Sequence, residues 1–134
     1  LNIDPNLTLL LIEDNDIDVM VVQRLMRRLS IDLPIVRAGN GEEALALLRT
    51  PCDPPRLAPP YVIVLDLNMP RMTGFEFLEA IADDEALADV PIFILSTSDN
   101  PNDQQTASRY RVRGYLVKPI KEDQLVGVLR STAA

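Results

Sequence analysis

A chain of 134 residues carries about one domain of sequence, enough to bury a sizeable core. Its net charge of −7, with 47% hydrophobic and 25% charged residues, suits a soluble globular protein and speaks against a duplex-binding or membrane-bound one. The single cysteine, Cys52, excludes an internal disulfide and fits a reducing compartment, while the absence of His removes histidine metal ligands, histidine general bases and phosphohistidine chemistry.

The first apolar run is Thr8-Leu9-Leu10-Leu11-Ile12, and it ends on Glu13-Asp14-Asn15-Asp16. It is too short, and too acidic in its flanks, for a signal peptide or membrane span, so a cytoplasmic protein is expected. From Ile17 the spacing turns helical, with Val22, Leu25, Met26 and Leu29 on one face and Asn15 or Asp16 as the cap. Arg24, Arg27 and Arg28 lie toward the end, where cations suit the helix dipole. Ile17, Met20 and Val21 project away from the apolar stripe, as either a docking patch or additional core. Pro34–Arg37 reads as a short strand, Gly39-Asn40-Gly41 as a turn, and Glu42–Arg49 as a helix with Ala44, Leu45 and Leu48 inward.

Residues 51–60 hold five of the eleven prolines and are expected to form a stiff surface loop. Tyr61–Leu65 is a buried strand that runs into Asp66-Leu67-Asn68-Met69-Pro70, and a helix follows from about Phe75 with Leu78 and Ile81 inward. Pro91–Leu95 is a fourth strand ending on Ser96-Thr97-Ser98, and a helix from about Asn102 to Arg111 follows Pro101. Gly114–Val117 is a fifth strand ending on Lys118-Pro119. The last helix starts near Lys121, with Leu125, Val128 and Leu129 on one face. Five alternations of strand and helix predict an α/β domain with a doubly wound parallel sheet, and one domain spans residues 1–134 with no output domain.

An isolated Asp after a strand is commonly a turn residue or helix cap. Here four apolar runs stop on Glu13-Asp14, Asp66, Ser96 and Lys118, and a parallel sheet brings all C-terminal ends to one edge. Three crowded carboxylates raise one another's pKa unless a cation relieves them. An oxygen-only site of this kind suits Mg²⁺, with Glu13, Asp14 and Asp66 as side-chain ligands and the Asn68 carbonyl as a further candidate. With an ammonium and a hydroxyl beside it, the set fits phosphoryl transfer to the Asp66 carboxylate, where Lys118 offsets charge and Ser96 donates a hydrogen bond.

Competing chemistries fit less well. A flavin phosphate would be repelled by Glu13-Asp14-Asn15-Asp16, and neither a P-loop nor a dinucleotide glycine motif is present. An aspartyl phosphatase wants a second carboxylate two residues on, where this chain has Asn68. A phosphate-independent interaction module would have no use for the full acidic set with Ser96 and Lys118. A Mg²⁺-dependent hydrolase would need a shaped substrate pocket.

These residues resemble a response-regulator receiver domain of two-component signalling, over nearly the whole chain from Leu7 to about Arg130. The resemblance is carried by Glu13-Asp14, Asp66-Leu67-Asn68-Met69-Pro70 with Gly74, Ser96, Tyr115 and Lys118-Pro119. It implies a flavodoxin-like (βα)5 fold with strand order 2-1-3-4-5. It also implies that Asp66 accepts phosphate from a histidine kinase or phosphotransfer protein, with Mg²⁺ held by Glu13, Asp14, Asp66 and the Asn68 carbonyl. Ser96 would move toward the phosphoryl group, Tyr115 would turn inward behind it, and Lys118 would pair with the phosphate next to a cis Lys118-Pro119 bond. Ile17, Met20 and Val21 fall where the family docks its phosphodonor. The chain is then a phosphoacceptor switch that assists its own phosphorylation and dephosphorylation rather than a dedicated enzyme, signalling by relay or by contact with a downstream protein.

Two features depart from the common pattern. Tyr110-Arg111-Val112-Arg113 stands where many receivers have small residues, on the surface where the family forms homodimers or output contacts through the fourth helix, fifth strand and fifth helix. The proline-rich loop is also long. Together with Leu95-Ser96-Thr97-Ser98-Asp99, these features resemble the stand-alone receivers that partner phytochrome-type kinases.

Overall fold

The computed structural model describes residues 2–49, 57, 59–69 and 71–131. Cys52, Pro70 and most of the proline-rich stretch, of which only Leu57, Pro59 and Pro60 are described, lie outside that set. Five strands, β1 (Thr8–Ile12), β2 (Ile35–Ala38), β3 (Tyr61–Leu65), β4 (Ile92–Ser96) and β5 (Gly114–Val117), form one parallel sheet in the order β2-β1-β3-β4-β5. The helices are α1 (Asp16–Arg28), α2 (Gly41–Arg49), α3 (Gly74–Ile81), α4 (Pro101–Ala107) and α5 (Glu122–Arg130). This is the doubly wound fold expected from the alternating pattern. No helix among the described residues is long and apolar enough to cross a membrane.

The strands are apolar on both faces because each face is covered by helices. Leu10 and Ile12 of β1, Ile63 and Leu65 of β3, and Ile92 and Ile94 of β4 pack with Ala44 of α2 and Phe77, Leu78 and Ile81 of α3. Their neighbours Leu9, Leu11, Val62, Val64 and Leu95 point the other way, onto Val19, Val22, Leu25 and Met26 of α1 and Leu125, Val128 and Leu129 of α5. The alternation is the pleat of an extended strand, so parity alone assigns each residue to a face.

Local chemistry fixes the helix starts. The Asn15 side chain accepts from the backbone N–H groups of Ile17 and Asp18, which settles the cap of α1 in favour of Asn15 over Asp16. Thr73 and Glu76 form a reciprocal capping box on α3. Gly74 opens α3 against the β3 end: its N–H donates to Leu67 O at 3.0 Å, and a Cβ there would stand 2.7 Å from Asp66 O.

Two readings are corrected. The fourth helix ends at Ala107 rather than near Arg111, because Ser108 caps it and Arg109 and Tyr110 bond back only three residues, to Thr106 and Ala107. A short 3₁₀ turn, Glu85–Leu87 with Asp84 as cap, also joins α3 to β4, in a stretch the periodicity left without an element.

Candidate functional site

The site grows from the C-terminal ends of the strands. β1 pairs with β3 in the register Ile12 with Leu65, so Glu13 and Asp66, one residue further on, are laid side by side. Continuing the pleat by one residue puts Glu13, Asp66 and Lys118 on the α1/α5 side. Ser96, in phase with Ile92 and Ile94, belongs to the opposite side. Backbone bonds hold these ends flush: Asp66 N donates to Ile12 O at 2.9 Å, Glu13 N to Ala38 O at 2.9 Å, and Lys118 N to Ser96 O at 2.8 Å.

Glu13 and Asp66 are 1% and 4% exposed, Ser96 is fully buried, and Asp14 stands in solvent at the mouth. One oxygen from each of Glu13, Asp14 and Asp66 lies within 4.8 Å of the others. Lys118 Nζ lies 2.8 Å from Glu13 Oε2, 2.7 Å from Asp18 Oδ2 and 3.6 Å from Asp66 Oδ2. The ammonium therefore bonds to Glu13 and Asp18 and sits just outside hydrogen-bond distance of Asp66. Asn68 N donates to Asp66 Oδ1 at 3.2 Å and Asn15 N to Glu13 Oε1 at 3.1 Å, so backbone groups orient both carboxylates.

Four carboxylates around one ammonium leave the site short of positive charge. Burial pushes the Glu13 carboxyl up to about 7, against the opposing pull of Lys118 and with a further push from Asp66. Burial also raises Asp66, while hydrogen bonds from Glu13 and Asn68 and the charge of Lys118 hold it back. For Lys118 burial works downward, but the bonds to Asp18 and Glu13 and the charge of Asp66 outweigh it and raise the pKa. A buried all-oxygen cluster with one water-facing member is the donor set of a hard divalent cation, and such an ion would relieve the crowding. The acidic cluster thus fits a divalent metal.

Arg37 of β2 was read only as a strand residue, yet its guanidinium donates to the carbonyls of Glu13 and Asp14, both at 3.1 Å, and pairs with Asp16 at 2.6 Å. It pins the backbone that carries the two acids. Asp18 was missed altogether. It lies in the first turn of α1, three residues after the Asn15 cap, and no local spacing marks it. Its partner Lys118 lies 100 residues away.

Ser96 Oγ accepts from Ser98 N at 3.1 Å, and Ser98 O accepts from Tyr115 OH at 2.8 Å. Ser98 Oγ in turn donates to Asp103 of α4 at 2.7 Å. Ser96 and Tyr115 are thus linked through one intervening residue on the β4–α4 loop. The Lys118-Pro119 bond is cis, as expected from the resemblance.

At the start of α1, Ile17 and Met20 are 70% and 53% exposed. Val21 does not join them. It is half-buried against the α1/α5 core, because the face that carries Val22 and Leu25 is wide enough to draw in its neighbour. The exposed apolar pair is therefore Ile17 and Met20.

Comparison with known proteins bears on the same residues. The profile of the response regulator receiver domain matches residues 9–130. The chain is 33% identical over 117 residues to a probable methanogenesis regulatory protein, FilR2 of Methanothrix harundinacea, covering 87% of this chain and 75% of that one. The phosphorylated cyanobacterial phytochrome response regulator RcpA superposes with a TM-score of 0.77 at 30% identity, covering 93% of this chain and 89% of its own. The Mn²⁺-bound form of Rcp1, a response regulator of Synechocystis, superposes with a TM-score of 0.75 at 30% identity, covering 91% and 88% of the two chains.

Proposed function

The chain belongs to the response-regulator receiver domain family of two-component signalling, and on that premise we propose that Asp66 is its phosphoryl acceptor. The observation that carries this reading is the buried Asp66 carboxylate at the sheet edge, within 4.8 Å of two further acids and 3.6 Å from a lysine ammonium. Glu13 shares the burial and the cluster but is engaged directly by Lys118 at 2.8 Å, whereas Asp66 lies 3.6 Å from the ammonium, outside hydrogen-bond distance.

In the reaction, an Asp66 Oδ attacks phosphorus in line. The P–N bond of a phosphohistidine donor, or the P–O bond of a small acyl phosphate, breaks, and its electron pair leaves with the departing group. An acyl phosphate remains on Asp66. Glu13, Asp14 and Asp66, with the carbonyl of Asn68, would hold Mg²⁺, which when bound neutralises charge on the phosphoryl oxygens. The N–H of Asn68 orients Asp66, Lys118 offsets the charge that arrives with phosphate, and Ser96 donates its hydroxyl to a phosphoryl oxygen. Ser96 leaves its bond with Ser98 to do so, and the loop that also holds Tyr115 is released with it. The switch is a shift of population toward the conformer that binds phosphate better.

The phosphodonor is a histidine kinase or phosphotransfer protein, and it docks over Ile17 and Met20. The likeness to RcpA and Rcp1 supports the phytochrome-associated subgroup. The output is contact with a downstream protein or onward relay in the cytoplasm, and a homodimer through α4, β5 and α5 is the family's usual arrangement.

Treatment with acetyl phosphate and Mg²⁺ tests the reading by intact mass. One phosphoryl adduct is expected on the wild type and none on Asp66→Asn. A wild type without any adduct would overturn the phosphoacceptor reading in favour of a phosphate-independent interaction module. Sustained turnover of a generic phosphate ester would favour a hydrolase instead.

A further inference from the structure

Lys118 spends two of its three N–H donors on carboxylates other than the one it is expected to serve. Nζ lies 2.7 Å from Asp18 and 2.8 Å from Glu13, and 3.6 Å from Asp66. Glu13 belongs to the cation cluster, so its bond to Lys118 competes with that role. Asp18 does not: it stands outside the cluster of Glu13, Asp14 and Asp66. Among the described residues, Lys118 is the only cation paired with Asp18, and the Asp18 side chain is 29% exposed.

We propose that Asp18 is a positioning residue that holds Lys118 off the phosphoryl site, so that Lys118 exchanges its bond to Asp18 for one to the phosphoryl group as Asp66 is phosphorylated. The inference rests on the reading of Asp66 as phosphoacceptor and adds a residue to it. Its physical basis is the strength of the bond that has to be given up. A charge-assisted, largely desolvated N⁺–H···O⁻ contact is about twice as strong as one to a neutral oxygen, so the exchange opposes phosphorylation as long as the partner is a carboxylate. The same contact fixes the first turn of α1, with Ile17 and Met20 on either side of Asp18 in sequence, against the site edge. An apolar partner seated on Ile17 and Met20 would press on the turn that carries the clamp.

Asp18→Asn keeps the shape and a hydrogen-bond acceptor while removing the charge. Labelling by acetyl phosphate with Mg²⁺ is expected to speed up by about three- to tenfold, the change expected when a charge-assisted bond becomes a neutral one. A merely structural role would predict slower labelling or none. Asp32→Asn is the control, since Asp32 is exposed between α1 and β2, away from the strand ends that carry the site, and it is expected to label at the wild-type rate. The second readout is independent of phosphate: the ¹⁵N-resolved ammonium signal of Lys118 in the unphosphorylated protein should shift and exchange faster with water in Asp18→Asn.

An unchanged labelling rate, equal acceleration in Asp32→Asn, or an unaltered Lys118 signal would each overturn the clamp while leaving Asp66 as acceptor. A wild type that takes no phosphoryl group would instead remove the reading on which the inference stands.

Discussion

Glu13 and Lys118 form an ion pair at 2.8 Å in which neither side chain has much contact with water. The pair does not cancel the cost of burial, since the Glu13 carboxyl is pushed up to about 7. In an unfolded chain a glutamate titrates near about 4.3. Between those values the folded protein binds a proton that the unfolded chain does not. The stability this supplies is complete below the unfolded value and is lost as pH rises through the folded one. Metal-free protein is therefore expected to lose stability, on the order of 3 kcal/mol, between about pH 4 and pH 7. Urea unfolding with a chelator would follow the loss. Glu13→Gln should flatten that dependence, and saturating Mg²⁺ is expected to reverse it by preferring the folded acids to the unfolded chain. A metal-free midpoint that rises across this window would mean that Glu13 is ionised throughout.

Gly74 and Asp66 are coupled by close approach of backbone to backbone. A Cβ on residue 74 would lie 2.7 Å from Asp66 O and 2.7 Å from Leu67 Cα, distances that require main-chain movement. Gly74→Ala is expected to cost about 1–3 kcal/mol by overcrowding and to slow acetyl-phosphate labelling, because the strain falls on the peptide of Asp66, the proposed acceptor. Paired urea and labelling measurements on one sample would separate the two effects. Wild-type values in both would show that α3 can slide away from the β3 end.

Most of this site was legible in the sequence because a parallel sheet turns strand ends into neighbours. Once Thr8–Ile12, Tyr61–Leu65, Ile92–Ser96 and Gly114–Val117 are strands, the convergence of Glu13, Asp66, Ser96 and Lys118 follows from topology. Parity then separates Ser96 from the other three. What escaped were features decided by side-chain reach rather than by pattern. The Asp18–Lys118 bond joins elements 100 residues apart, and no local spacing encodes it. Arg37 shows nothing in β2 of the three oxygens it gathers beyond that strand. The residue pattern carries α4 past its true end because Arg109-Tyr110-Arg111 are acceptable helix residues, and it is the Ser108 cap and three-residue backbone bonds that stop the helix.

Val21 and Met20 are adjacent in sequence and differ in role. Met20 is exposed, so Met20→Asp is expected to leave unfolding within about 0.5 kcal/mol of wild type, leave acetyl-phosphate labelling intact, and slow transfer from the partner kinase. Val21 packs on the α1/α5 core. Val21→Asp should cost about 1–3 kcal/mol by putting a carboxylate against apolar neighbours and should impair both routes of labelling through loss of folded protein. Stopped-flow transfer from a cognate kinase beside a denaturation curve would check the contrast. Equal loss of both routes with Met20→Asp would place Met20 in the core after all.

Ser96 and Tyr115 share no hydrogen bond, yet each bonds to Ser98, one to its N–H and the other to its carbonyl. The two bonds together fix the orientation of one residue on the β4–α4 loop, so breaking either loosens the residue that supports the other. Tyr115→Phe removes one hydrogen bond from a half-buried hydroxyl and is expected to cost about 0.5–1.5 kcal/mol. Ser96→Ala leaves the half-buried Ser98 N–H without its acceptor and should cost about 0.5–1.5 kcal/mol, the net worth of one hydrogen bond. If Ser98 transmits strain between them, the double variant should lose less than the two single losses together, with an interaction of at least about 0.5 kcal/mol. The cycle is best run on unphosphorylated protein, where Ser96 still holds Ser98. On the proposal that phosphorylation draws Ser96 to the phosphoryl group, the interaction should shrink toward zero in phosphorylated protein. Strict additivity in the unphosphorylated state would mean that the loop moves as two independent pieces, and that Tyr115 does not sense where Ser96 is.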